Sequence, residues 1–191
     1  MHIDEWDEWH RKICHAHPTL IVTGELDRSE PAALRQLEEW RTAGVTTIVD
    51  VRLEADDIDF VAQHAPEIRY IWAGVHDHGG EQPDEWFDQV IAALGDTIHD
   101  PNETILVHCQ MGVNRGPSMA FRIMLAQGWK VRTALRAIRD ARPIAAVLYA
   151  DSAVRHHHTI NGSDPTHDLQ IVTAWFYDLD TDTTPTFAQP D

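Results

Sequence analysis

The chain has 191 residues, with 15 Lys and Arg against 31 Asp and Glu, giving a formal net charge of −16 at pH 7. Hydrophobic residues make up 43% and charged residues 24%, ordinary for a globular domain with a full core and unlike collagen, coiled coil or extended disorder. So acidic a surface argues against broad contact with nucleic acid or anionic membrane. Two cysteines (Cys14 and Cys109), no bilayer-length apolar run and no signal-peptide pattern lead us to expect a soluble, cytoplasmic protein without a disulfide framework.

Taken in chain order, Trp6, Trp9 and Ile13 are spaced for a short amphipathic helix over Asp4–His15. Thr19–Thr23 reads as a strand ended by Gly24. Ser29 is placed to cap a helix with Pro31 in its first turn and Leu34, Leu37 and Trp40 on one face. Gly44 stops it, and the β-branched, apolar run Val45–Val51 has the look of a strand covered on both faces. A helix is expected near Asp57–His64 and a strand over Ile68–Trp72. Gly74–Pro83 reads as a Gly- and His-bearing loop, with Asp84 as the cap of the helix that carries Trp86, Phe87, Val90, Ile91 and Leu94.

Thr104–Val107 is a short buried strand. Helical patterns then run over Pro117–Ala126, Val131–Asp140 and Val147–His158. Strands alternating with helices predict an α/β fold, a central and mostly parallel β-sheet flanked by helices. Leu169–Leu179 is apolar enough to pack as one element, helix or strand, and the last dozen residues read as a frayed tail.

The chemistry concentrates after the Thr104–Val107 strand, in His108-Cys109-Gln110-Met111-Gly112-Val113-Asn114-Arg115-Gly116-Pro117. In open α/β sheets, ligands bind beyond the C-terminal ends of the strands. A loop between such a strand and a helix can turn successive N–H groups inward as an anion nest, and the helix N-terminus adds partial positive charge. Arg115 can grip two oxygens of a tetrahedral anion at once. The same donors favour the thiolate of Cys109, making it a nucleophile aimed at bound phosphorus. A leaving alkoxide or phenoxide then needs a proton. Asp77, on the Gly-rich loop 32 residues earlier, is the favoured acid; Asp84, Asp88, His76 and His78 are the alternatives.

His108-Cys109-x-x-Gly112-x-x-Arg115 resembles the signature loop of the cysteine-dependent protein tyrosine phosphatase superfamily, and the layout is similar to its dual-specificity branch over roughly residues 18–158. The Leu20–Gly24 and Gly44–Val51 strands, the spacing from Asp77 to Cys109, and Arg142-Pro143 belong to that resemblance. It implies Cys109 as nucleophile, Arg115 as phosphate clamp, Asp77 as general acid and His108 as the neighbour that orders the loop. Gln110, Met111, Gly112, Val113 and Asn114 would line the phosphate site with Arg115. It implies no cofactor.

The chain departs from the family at Gly116, where Ser or Thr is usual. That hydroxyl is held to ease thiolate departure, so its absence implies slow hydrolysis of a phosphocysteine. Ser118 would have to reach back to replace it. This reading divides the chain into a helical extension (1–17), a phosphatase-like catalytic domain (18–160) and a C-terminal extension (161–191).

Lysines, usual in the loops of phosphoinositide-directed members, are absent from residues 110–114. The expected substrate is therefore a singly phosphorylated protein or small phosphomonoester, with no nucleic-acid or membrane partner. A phosphate-binding pseudophosphatase and a rhodanese-like sulfurtransferase are the rival functions. Arg52 is expected to pair with Asp50 or Glu54. His10, Cys14, His15 and His17 are read as chance spacing rather than a metal site, and His156–His158 as an exposed helix end. Trp72 and Trp86 are read first as core residues, with a pocket-wall role as the alternative.

Overall fold

A computed structural model describes residues 8–177. Five strands, β1 (Cys14–His17), β2 (Leu20–Thr23), β3 (Thr47–Arg52), β4 (Arg69–Val75) and β5 (Ile105–His108), form one sheet in the order β1-β2-β5-β3-β4. β1 is antiparallel to β2, and the other pairings are parallel. The helices are α1 (Glu30–Thr42), α2 (Ile58–His64), α3 (Asp84–Leu94), α4 (Arg115–Ala126), α5 (Val131–Ala141), α6 (Ala150–Asn161) and α7 (Thr166–Phe176), with a 3-10 turn at Gly95–His99.

The sheet separates two apolar layers because successive side chains of a strand point to opposite faces. Leu20, Val22, Val49, Val51, Ile105 and Val107 pack with α3, α4, α5 and α6. Ile21, Ile48 and Leu106 pack against Leu37 and Trp40 of α1 and Val61 of α2. Every residue of β3 is buried, as its β-branched run requires. Full burial of Leu106 or Val107 contributes about 1.5–3 kcal/mol each. α4 is buried from Arg115 through Leu125, so it threads the core and starts beneath the C-terminal edge of the sheet.

Register sets that edge. Thr23 and Asp50 both lie opposite His108, and Arg52 lies opposite Val75. The segments that follow, Gly24–Glu25, Leu53–Glu54, His76–Asp77 and Cys109, are thus delivered side by side.

Several elements differ from the sequence expectation. Cys14–His17 is a strand, where a helix over Asp4–His15 was expected; Cys14 and Ala16 are buried while His15 is exposed, the two-residue alternation of a sheet rather than the helical spacing of the tryptophans. Residues 8–10 are helical, and the start of the expected helix lies outside the described residues. Asp84 is the first residue of α3, with Pro83 at the cap position. Ser29 occupies the cap of α1 but sends its hydroxyl to Asp27 (2.9 Å). Leu169 and Trp175 fall on α7, a helix that packs Val172 inward. The expected frayed tail lies outside the described residues.

Candidate active site

Cys109 follows β5 directly and is buried at 2% exposure. The next residues turn sharply before α4 begins at Arg115. Gly112 makes that turn with φ +63°, and a Cβ there would lie 2.5 Å from both the Thr23 carbonyl oxygen and Arg142 Nη2. Only glycine fits both demands.

The carbonyls of Gln110 to Val113 are held from outside the loop, and that of Asn114 accepts the first hydrogen bond of α4. Gln110 O accepts from Glu25 N (3.0 Å) and lies 2.9 Å from His10 Nε2. Met111 O and Gly112 O accept from Arg142 Nη2 (2.9 Å) and Nε (2.6 Å). Val113 O accepts from Ala146 N (2.7 Å), and Asn114 O from Ser118 N (2.8 Å). In a trans peptide the N–H points opposite the C=O, so outward carbonyls turn the loop amides toward the side that holds Cys109. Among the described residues, no amide of 110–114 donates to a protein acceptor. Arg142, read in the sequence only as part of the resemblance, is therefore the brace of the loop. It also holds Lys12 O (3.0 Å) and His10 O (3.3 Å), tying the segment before β1 to the site.

Arg115 is 4% exposed, at the first turn of α4. Its Nη1 and Nη2 each donate to a Glu54 carboxylate oxygen at 2.7 Å, and Nη1 also donates to Val75 O at 3.0 Å. Nε and the second Nη2 hydrogen remain, and these two form one edge of the guanidinium. Asp77 Oδ2 lies 3.5 Å from Nε. The Arg115 hydrogen bonds draw the pKa of Glu54 down to about 2. Burial alone would lower that of Arg115, but Glu54, Cys109 and Asp77 raise it, so the guanidinium stays charged.

Glu54 was weighed in the sequence only as a partner for Arg52. Of the two partners expected for Arg52 the structure gives Asp50 (2.7 Å), together with Asp57 (2.6 Å) and Glu25 (3.2 Å), which leaves Glu54 to Arg115. The one acid two residues beyond the end of β3 was a signal available in the sequence, but only strand register shows that it reaches a helix 61 residues away.

His108 is fully buried and its pKa is lowered, chiefly by burial, so it is neutral at pH 7. Its Nε2 lies 3.8 Å from Asp50 Oδ1 and its ring 5.7 Å from that of Trp40. Ligand atoms of Asp50, Asp57 and His108 lie within 4.8 Å of one another. The Arg52 guanidinium already bonds both carboxylates, so a cation is in place and we read the cluster as an ion-pair network. His10, Cys14 and His17 face Gln110, Lys12 and Gln127 respectively and are not brought together.

Asp77 reaches the site from the loop after β4. Its Oδ1 accepts from Asn114 Nδ2 (2.7 Å) and from the Tyr149 hydroxyl (2.6 Å). Three of the alternatives have other engagements. His78 accepts from Gly80 N, Asp84 starts α3, and Asp88 bonds His156. Tyr149, missed in the sequence, belongs to a kinked segment. Val147 has φ +53°, an outlier for a β-branched residue that costs on the order of 1–3 kcal/mol. The kink lets Leu148 N donate to Asn114 Oδ1 (2.8 Å) and Tyr149 N to Ser118 Oγ (3.2 Å).

Ser118 is thereby engaged away from the sulfur. At Gly116, a Cβ would lie 3.5 Å from Cys109 Sγ, so the start of α4 rests against the thiol. Trp86 is a core residue as expected, buried behind Tyr149 with ring centroids 6.2 Å apart, but Trp72 is not: it is 39% exposed, its ring nitrogen donating to Arg52 O. His156 is not exposed as expected; it is buried, accepting from Arg122 Nε (2.8 Å) and bonding Asp88.

A family model described as "Dual specificity phosphatase, catalytic domain" matches residues 29–148. The chain belongs to the dual specificity phosphatase family. It is a cysteine-based phosphatase. The crystal structure of human DUSP28 is similar at TM-score 0.62 and 17% identity, covering 79% of this chain and 99% of that one. Human tyrosine phosphatase-like serine/threonine/tyrosine-interacting protein gives 0.59 and 17%, covering 81% and 100%. PTPMT1 in complex with PI(5)P gives 0.59 and 15%, covering 81% and 97%. No curated protein matches by sequence. Among the described residues, no helix is long and apolar enough to cross a membrane.

Proposed function

We propose that this phosphatase hydrolyses singly phosphorylated substrates, on protein tyrosine or on tyrosine and serine/threonine, through a phosphocysteine on Cys109. The observation that supports this most directly is the outward anchoring of the Gln110–Val113 carbonyls beside the sulfur. It leaves a ring of N–H donors for the three non-bridging oxygens, complementary to charge that spreads over them in the transition state. The free edge of Arg115 would hold two of those oxygens while Glu54 fixes the opposite edge. Cys109 Sγ attacks phosphorus as the bond to the leaving oxygen breaks, and Asp77 Oδ2 gives that oxygen its proton. Water then attacks the phosphocysteine with Asp77 as base, returning the thiolate.

Gln110, Met111, Val113 and Asn114 carry no charge to match a second phosphate. PTPMT1 was solved with PI(5)P, so a phosphoinositide is the comparison substrate. Cys109 must stay reduced, and both cysteines are free, which suits a cytoplasmic setting.

Rapid-quench kinetics with a chromogenic aryl phosphate, followed by rates on phosphotyrosine and phosphothreonine peptides against PI(5)P, test the reading. A phenolate burst and faster peptide than lipid turnover are expected. Absence of a burst with phosphopeptide binding retained would make the chain a binder, and faster PI(5)P turnover would overturn the substrate class. Sulfur transfer from thiosulfate to cyanide would reassign the chemistry to a sulfurtransferase.

A further inference from the structure

We propose that Tyr149 is a positioning residue that fixes which oxygen of Asp77 carries the catalytic proton; this rests on the reading of Asp77 as the general acid. Both donors to Asp77 Oδ1 are themselves held by a second bond. The Tyr149 hydroxyl accepts from Gly79 N at 3.1 Å and donates to Asp77 at 2.6 Å. Asn114 Oδ1 accepts from Leu148 N at 2.8 Å, so its amide Nδ2 must be the atom facing Asp77 at 2.7 Å. Asn114 cannot swap to an acceptor role without breaking that bond, because its Nδ2 only donates, and the Tyr149 hydroxyl keeps one lone pair on Gly79 N while its proton serves Asp77.

An oxygen that already accepts two hydrogen bonds is a poor place for a third proton. The proton of Asp77 therefore resides on Oδ2. That oxygen lies 3.5 Å from Arg115 Nε, beside the guanidinium edge left open by Glu54, where the leaving oxygen of a bound ester would sit. Tyr149 thus couples two tasks. Its contact with Gly79 holds the acid loop against the segment before α6, and its contact with Asp77 selects the oxygen that faces the reaction. The ring is fully buried and packed edge-on against Trp86. Burial and the Asp77 carboxylate raise the pKa of its hydroxyl, which remains a donor at neutral pH.

The test is Tyr149→Phe, which keeps the ring and removes the hydroxyl, assayed on aryl phosphates from good to poor leaving groups. On the poorest ester kcat/KM, which reports formation of the phosphocysteine and not its breakdown, is expected to fall ~10-fold, part of the roughly 10²–10⁴-fold a general acid supplies. On the nitrophenyl ester kcat/KM should change less than about twofold. In an Asp77→Ala background the same substitution should add nothing further. An equal loss on all esters, or full additivity with Asp77→Ala, overturns the assignment to Tyr149. If Asp77→Ala itself slows all esters alike, the general-acid reading falls and this proposal with it. Should Tyr149→Phe not fold, Asn114→Ala removes the other donor to the same oxygen and must show the same leaving-group bias.

Discussion

Glu54 holds Arg115 end-on, with both Nη atoms 2.7 Å from its carboxylate oxygens, and so leaves the Nε side of the guanidinium, with Asp77 Oδ2 3.5 Å from Nε, as the edge without a hydrogen bond among the described residues. The pair joins the loop after β3 to the first residue of α4. It converts a long, mobile side chain into an oriented fork, and orientation of a charged donor is worth more in a site than the charge alone.

Glu54→Gln should therefore weaken vanadate binding by ~10-fold, about 1.4 kcal/mol, as measured by competitive inhibition. The sign of its pH effect follows from a carboxyl whose pKa falls from the ordinary 4.5 to about 2 on folding. The pair adds stability that is fully present above about pH 4.5 and is lost as pH falls toward 2. With the Glu54 side chain 44% exposed, solvent screening limits that contribution to about 1 kcal/mol or less. Urea melts of wild type and Glu54→Gln should differ at pH 7 and converge near pH 2; a difference that persists there contradicts the assignment.

His108 gives a second pH signature of the same direction. Burial lowers its pKa below 6.5, and Asp50, Arg52, Asp57 and Trp40 surround it. Above pH 6.5 it is neutral folded or unfolded and adds no pH dependence. Below that, the unfolded chain takes a proton that the native state refuses, so stability falls with acid by at most about 1.4 kcal/mol per pH unit. His108→Gln should flatten the loss between pH 6.5 and 5.5. His10, His17 and His157, all lowered by burial, account for the slope that remains.

Gly116→Ser restores the hydroxyl the family usually carries. The new Cβ would lie 3.5 Å from Cys109 Sγ and 3.2 Å from its amide nitrogen, close enough to place an O–H beside the sulfur after a small shift. If breakdown of the phosphocysteine limits turnover, the steady-state rate should rise about tenfold toward the burst rate, roughly 1.4 kcal/mol off the second barrier. An unchanged ratio of burst to steady state would show that Gly116 does not limit the second step.

Cys109→Ser should abolish turnover and leave vanadate or phosphopeptide binding in place, because the outward carbonyl anchors do not involve the sulfur. Retained turnover in that variant, measured by phosphate release, would remove Cys109 as nucleophile.

The periodic patterns of β2, β3, β5 and α4, and the Cys109–Arg115 spacing, were legible in the sequence. They depend on local steric and hydrophobic demands that neighbouring residues impose on each other. The sequence alone thus determined an α/β sheet carrying a cysteine loop at a strand's end. β1 was misread because Trp6, Trp9 and Ile13 mimic a helical face, while the alternation of Cys14 and Ala16 spans only one short strand. Tertiary structure decided the partners. Glu54 on Arg115, Arg142 behind the loop, and Tyr149 with Asn114 on one oxygen of Asp77 lie between 30 and 72 residues apart in the chain. Their meeting depends on strand register and on the kink at Val147, and hydrogen-bond direction becomes defined only when both ends are fixed in space.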